Sequence, residues 1–285
     1  MVIDINYHSL DRNVDFSHNL RYPARVQDKR QMPTSKRKER LSQILGMLEQ
    51  THGATIGALS ERLGVSEMTI RRDLELLTSD NKATLVRAGA IPVSHAGWSL
   101  SDPRAAAASE KMRIGRKAAS LVEKNDIVII DSGSTTEWLA QSLPPDLPVT
   151  ILCFALNILL AAGKGGERAI VLAGGVMQQE RLVFSSPEGV DLVRRYRAHK
   201  AFLSADGASL NLGVTCADGA EAELKKAAIA SSQSRILLAD SRKLGRVSPS
   251  WFADLKDFDA VITDTGITPE YVEIFRTLGV TLHVV

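Results

Sequence analysis

The run Ser132-Gly133-Ser134-Thr135-Thr136 follows the apolar stretch DIVIID and precedes a helical pattern. That order brings backbone N–H groups and hydroxyls together at a helix start, an arrangement that binds phosphate, and the glycine lets the backbone approach the anion closely. The same residues also make an ordinary helix cap. The run carries neither the Gly-Lys-Ser/Thr ending of a nucleotide loop nor a GxGxxG spacing. Glu221 and Lys225 stand four residues apart and share one face of an expected helix. As a reactive pair they supply a general base and a cation for an enediolate. As a surface pair they contribute only about 0.2–0.5 kcal/mol. Asn157, Gly174-Gly175, Asp206-Gly207 and Lys243 each follow a further apolar run.

A second dense stretch is VSEMTIRRDLELL, residues 65–77. Gly64 permits a tight turn, and Ser66 suits the cap of a helix whose apolar stripe is Ile70, Leu74 and Leu77. That stripe leaves Glu67, Met68, Thr69, Arg71 and Arg72 on exposed positions. Two such arginines fit the major groove of DNA, reaching guanine O6 and N7 or phosphates. On an isolated helix the same pair is equally a solvated face. Asp73 would be repelled by DNA and is expected to orient one of the two arginines. Arg87, in the turn of a short hairpin, is placed to touch the DNA backbone. Lys36, Arg37, Lys38 and Arg40, around the single Glu39, are further candidates for phosphates, or the solvated start of a helix.

Two kinds of architecture must position these residues. Leu41, Ile44, Leu45 and Leu48 recur at helical spacing over about four turns. After a break at His52-Gly53, Ile56, Leu59 and Leu63 mark a shorter helix stopped by Gly64, and the helix from Ser66 follows. The run KATLVRAGAIPV then reads as a hairpin around Gly89. This is the order of a winged helix-turn-helix, assigned to residues 35–94. Residues 1–34 lack periodicity and read as a flexible arm, with Met32 as an alternative initiator. Residues 95–110 read as a linker or a short helix over Ala105–Ala108. Residues 111–285 alternate apolar runs with helical stretches, the runs being 126–131, 149–154, 169–175, 201–206, 235–240, 259–264 and 280–285. That pattern implies an α/β domain with a mostly parallel sheet covered on both faces, its ligand loops at the carboxyl ends of the strands.

Composition narrows the classes. The formal net charge of +2 says nothing by itself about nucleic acid. No apolar run reaches the roughly 18–20 residues of a membrane span, and the first residues lack the apolar core of a secretory signal. Two cysteines, Cys153 and Cys216, lie in or beside strand-like sequence and read as buried free thiols of a cytoplasmic protein. Neither a cofactor nor a metal is expected.

Residues 36–93, with VSEMTIRRDLELL at their centre, resemble the DNA-binding domain of the DeoR family of bacterial regulators. Residues 111–285 resemble the sensor domain of that family through DSGSTT, Asn157, LAGG, SADG, the Glu221 and Lys225 pair, and LADSRKLG. The resemblance implies operator recognition by Ser66, Thr69, Arg71 and Arg72, and a sensor fold shared with ribose-5-phosphate isomerase. It also implies phosphate binding by Ser132–Thr136 and sugar contacts from Asp206, Gly207, Glu221, Lys225 and Lys243. GVSEMTIRRDL, Val214-Thr215-Cys216 and DLKDFDAVITD with EYV point toward the deoxyribonucleoside-responsive part of the family. Deoxyribose 5-phosphate is therefore the first effector expected. The long arm and fuller wing depart from that pattern. The function implied is a homo-oligomeric repressor of a sugar or nucleoside catabolic operon, a dimer, tetramer or higher, on double-stranded operator DNA. An active isomerase with an accessory DNA-binding domain is the alternative, and an activator is a third reading.

Overall fold

The computed structural model describes residues 35–51, 53–80, 82–92, 107–164, 166 and 168–285. The expected arm, Met32 and most of the linker lie outside the described residues.

The N-terminal unit runs α1 (Ser35–Thr51), β1 (Ala54–Thr55), α2 (Ile56–Leu63), α3 (Glu67–Ser79), β2 (Ala83–Val86) and β3 (Gly89–Pro92). Thr55 caps α2 through Ala58 N, and Ser66 caps α3 by accepting from Thr69 N. The apolar stripes meet in one core, with Ile44 and Leu48 of α1 against Leu59, Ile70, Leu74 and Leu77. The wing has three strands in the order β1-β3-β2, one more than the hairpin read from the sequence. A two-residue strand carries no periodicity that could reveal it.

The larger domain opens with α4 (Ala108–Ala119), which begins inside the expected linker. It continues through β4 (Ile127–Ile130), α5 (Ser134–Ser142), β5 (Thr150–Cys153), α6 (Leu156–Ala162), β6 (Ala169–Leu172), β7 (Val176–Gln178), β8 (Val183–Ser185) and α7 (Pro187–Arg195). Then come β9 (Ala198–Ser204), β10 (Gly207–Ser209), β11 (Gly213–Cys216), α8 (Gly219–Ala230), β12 (Ser232–Leu238), β13 (Ser250–Ala253), β14 (Ala260–Thr263), α9 (Pro269–Thr277) and β15 (Thr281–Val284). The seven apolar runs become one parallel sheet in the order β15-β14-β12-β9-β4-β5-β6. Central strands such as Ile127–Ile130 are apolar at consecutive positions because both faces are covered.

The chain builds β4, β5 and β6 outward in one direction, then returns to place β9 on the other side of β4. The carboxyl ends of β4 and β9 therefore flank a topological switch point, where open α/β sheets leave a crevice. Two small antiparallel sheets, β7-β8 and β10-β11-β13, were not legible in the sequence. They are inserted in the connections that follow β6, β9 and β12.

Cys153 and Cys216 are both buried and free. Burial pushes the first thiol up to about 11 and the second up to about 12. Thiolate is the reactive form, so neither cysteine is expected to react with a thiol-specific reagent at pH 8 until the fold is opened with denaturant. Rapid labelling of one thiol in the native protein would contradict this placement.

Candidate ligand cavity and DNA-facing helix

A cavity of about 700 Å³ opens at the switch point. Ser132, Gly133, Ser134 and Thr135 from the end of β4 line it, with Ser204, Ala205 and Asp206 from the end of β9. Asp131 ties the two strands together. Its Oδ1 accepts from Ser132 N at 2.7 Å, and its Oδ2 accepts from Ser204 N at 2.7 Å and Ser204 Oγ at 2.9 Å. The loop between them must pass tightly over β9. Gly133 has φ 112°, and a Cβ there would sit 3.0 Å from Ser204 Oγ. The first-turn N–H groups of α5, on Ser134, Thr135 and Thr136, have no acceptor in a preceding turn. Asn157 Nδ2 steadies the loop by donating to Gly133 O at 3.2 Å and Glu137 Oε2 at 3.0 Å. Its Oδ1 is a buried acceptor without a partner among the described residues, so a donor on a ligand would satisfy it.

Behind the loop lies a buried charge cluster. Lys225 donates to Asp131 Oδ2 and to Ser204 O at 3.2 Å, and its ammonium is 3.2 Å from Glu221 Oε1. Glu221 Oε1 also accepts from Ser132 Oγ at 2.8 Å. Burial alone would lower the pKa of Lys225, but the carboxylates of Asp131 and Glu221 outweigh it and hold the ammonium above its ordinary value. Burial likewise opposes the charge on Glu221, and Lys225 and Arg181 overcome it, leaving the carboxyl below its ordinary value. A base with a lowered pKa and a lysine already sharing three acceptors suit binding better than proton transfer.

Arg181, from the turn between β7 and β8, closes this cluster on the cavity side. Its Nε donates to Glu221 Oε2 at 2.8 Å and its Nη2 to Asp206 Oδ2 at 2.9 Å. Burial would raise Asp206, but Arg181 and Lys243 hold it below the usual carboxylate range. Lys111, Arg242, Lys243 and Arg246 also line the cavity, giving its wall a cationic bias suited to an anion. Sequence reasoning missed Arg181, Asp131, Ser204 and Lys111. Only Asp131, an acid at the end of an apolar strand, left a signal that could have been used.

The expected ligand residues divide by position. Ser132 to Thr135, Asn157, Asp206, Glu221 and Lys243 reach the cavity wall. Thr136 does not, because its hydroxyl turns back to Ser132 O at 2.8 Å. Lys225 stands behind Glu221 rather than on the wall, and Gly207 packs beneath Arg246 backbone. The Glu221 and Lys225 pair is thus buried and not a surface ion pair, with Glu221 on the cavity wall and Lys225 behind it. Among the described residues, no group of His, Cys, Asp and Glu is arranged to hold a metal ion. None of their helices is long and apolar enough to cross a membrane.

On α3, Glu67, Met68, Arg71 and Arg72 are exposed, and Met68 keeps 58% of its surface free. Ser66 and Thr69 spend their hydroxyls on each other at 3.0 Å. Asp73 does not orient Arg71 or Arg72. It is buried, and accepts from Arg37 Nε at 2.8 Å and Arg40 Nε at 2.6 Å, fastening α1 to α3. The basic cluster of α1 is therefore partly structural, with Lys36 and Lys38 its exposed members. Because Asp73 is taken, its charge does not neutralise Arg71 or Arg72. Arg87 sits at the wing turn, but its guanidinium lies 4.0 Å over the Trp251 ring instead of standing free.

Residues 40–95 match the DeoR-like helix-turn-helix domain, and residues 106–265 match the DeoR C-terminal sensor domain. The chain belongs to the DeoR family. It is 32% identical over 252 residues to the deoxyribose operon repressor of Escherichia coli (strain K12), covering 87% of this chain and 98% of that one. It is also 32% identical over 250 residues to the HTH-type transcriptional repressor GlcR of Bacillus subtilis (strain 168), covering 86% and 95%. Ribose 5-phosphate isomerase A of Methanocaldococcus jannaschii superposes with a TM-score of 0.34 and 18% identity over 47% of this chain and 53% of that one, a likeness too slight to build on. As a DeoR-family member the chain is a DNA-binding transcriptional regulator and not an enzyme.

Proposed function

We propose that this DeoR-family regulator represses a sugar or nucleoside catabolic operon and leaves its operator when a phosphorylated sugar fills the cavity. The single observation that carries the reading is the pairing of two unlike halves across the switch point. One half offers the N–H groups and hydroxyls of Gly133 to Thr135 for a phosphate. The other offers Asp206 and Arg181 for hydroxyls of a short polyol, with the Asn157 acceptor beside the loop as a further polar contact. Deoxyribose 5-phosphate is the first candidate, in line with the name of the Escherichia coli relative. On DNA, Glu67, Met68, Arg71 and Arg72 face the major groove, with Ser66 and Thr69 setting the helix start.

A ligand that binds only the folded state raises its stability by about 2.7 kcal/mol at a hundredfold excess over Kd. For a domain of this size that is a Tm increase of about 5–10 °C. The increase is expected with deoxyribose 5-phosphate, and not with unphosphorylated deoxyribose. The same ligand should release the protein from operator DNA. Absence of any shift across a panel of phosphorylated sugars would retire the reading. A larger shift with ribose 5-phosphate would reassign the effector.

A further inference from the structure

The wing and the larger domain meet at a built contact that the effector reading does not use. We propose that the β10-β11-β13 sheet is a docking site for the wing, and that it competes with DNA phosphates for Arg87. The Arg87 guanidinium stacks 4.0 Å over the Trp251 ring on β13, with its Nη1 3.4 Å from Asp254 Oδ1. The Trp251 indole Nε1 donates to that same Asp254 oxygen at 3.0 Å, so the ring and the acid are held as one receptor. Trp251 pairs across the strands with Thr215, and its ring fits because it lies over Gly213 of the same strand as Thr215, where φ is 78° and a Cβ would come within 2.6 Å of the indole.

A second contact lies beside the first. Leu212, in the β10-β11 turn, is buried without belonging to the core of the larger domain, and Ile91 of β3 is buried outside the wing's own core. Both lie against Gly53, whose Cβ position is 3.0 Å from Ile91 Cγ2 and 3.4 Å from Leu212 Cδ1. An apolar peg and a cation–aromatic stack thus fix the wing on one face of the small sheet.

An arginine held in this way cannot lie on a phosphate at the same time. The stack and the half-exposed ion pair are each weak, and together they bias an equilibrium by about three- to tenfold. That is enough to tilt a switch and little enough for DNA to win. The far end of the sheet reaches the cavity. Asp206 N donates to Thr215 O at 2.9 Å, Ala217 N donates to Asp206 Oδ2 at 2.9 Å, and Thr215 pairs with Trp251 across the strands. A ligand that takes Asp206 therefore acts on the sheet that receives the wing, a step that rests on the cavity being the effector site.

The test uses the full chain and a labelled duplex that the protein selects from random-sequence DNA. Trp251→Leu and Asp254→Asn are expected to tighten binding about threefold or more in the absence of any sugar phosphate. Arg87→Ala is expected to weaken binding and to reduce the salt slope by about one. In the Arg87→Ala background Trp251→Leu adds nothing, a coupling that a merely structural tryptophan would not show. Unchanged or weaker binding by both sensor-side variants, or effects that simply add to Arg87→Ala, would overturn the docking site. Asp254→Asn keeps the side-chain shape and carries the test if Trp251→Leu does not fold. With deoxyribose 5-phosphate added, release of Trp251→Leu should be weaker than release of the unaltered protein. Equal release overturns the part given to the sheet. A protein that gives no thermal shift with any phosphorylated sugar retires the effector reading instead, and the measurements without ligand still judge the docking site.

Discussion

Lys225→Met is expected to destabilise the α/β domain by about 3–5 kcal/mol, the range for removing one partner of a buried ion pair. For a domain of this size the loss in Tm is about 6–20 °C. The side chains of Lys225, Asp131 and Glu221 are 1%, 0% and 2% exposed, so no water replaces the lost ammonium. Methionine matches the length of lysine and leaves little void, which assigns the loss to charge rather than packing. Asp131 and Glu221 would then face each other with Arg181 alone on the far side of Glu221. The double variant Asp131→Asn with Lys225→Met should recover part of the loss, because it removes the more deeply buried of the two carboxylates. Calorimetry or urea denaturation measures both. A single variant as stable as the parent would show that the cluster is not held by charge.

The pH dependence separates this account from simple loss of packing. In the parent protein Asp206 and Glu221 are held below their ordinary values, so their contribution is complete above the unfolded carboxylate values of about 4 and is lost as pH falls through the lower folded ones. Asp131 has the opposite sign already in the parent, because burial raises it, and Lys225→Met removes the cation that opposes that rise. Its penalty is then greatest at neutral pH and shrinks as the carboxyl takes up a proton on acidification. Stability curves of the two proteins should therefore converge toward acid. Parallel curves would point to packing.

What the sequence made legible depended on how far apart the interacting residues are along the chain. Helix α3 is written within VSEMTIRRDLELL, where cap, stripe and exposed arginines are all local. The seven sheet strands were legible because burial on both faces leaves continuous apolar runs. Asp73 was misassigned because its partners Arg37 and Arg40 are 36 and 33 residues away on α1. Arg181 was invisible for a similar reason. It lies in a hairpin too short to show a pattern, and its acids are 25 and 40 residues downstream. Glu221 and Lys225 have the spacing of a surface pair, yet Ala222, Ala227 and Ala228 let α8 lie close to its neighbours and carry both charges inside. Spacing reports which side chains share a face, not which way that face is turned.

Arg71→Ala and Arg72→Ala are each expected to weaken operator binding by about 1–3 kcal/mol, or about 5- to 150-fold, if the side chain makes a bidentate base contact. Both side chains are exposed. Asp73, the acid that follows them, is committed to α1 and neutralises neither guanidinium. A phosphate contact and a base contact leave different signatures. Loss of a phosphate contact weakens all sequences alike and lowers the salt slope by about one. Loss of a base contact also relaxes preference at a single base pair, which competition among operator variants detects. Arg72 has its backbone carbonyl within 3.4 Å of Arg37 Nη2, which pins that turn of α3 against α1. Among the described residues Arg71 carries no such tie. Arg72→Lys, which keeps the charge but loses the fork, should cost more at a base-reading position than at a phosphate. If neither alanine variant changed operator affinity, α3 would not be the reading helix, and the DNA-facing surface would have to be sought on the wing.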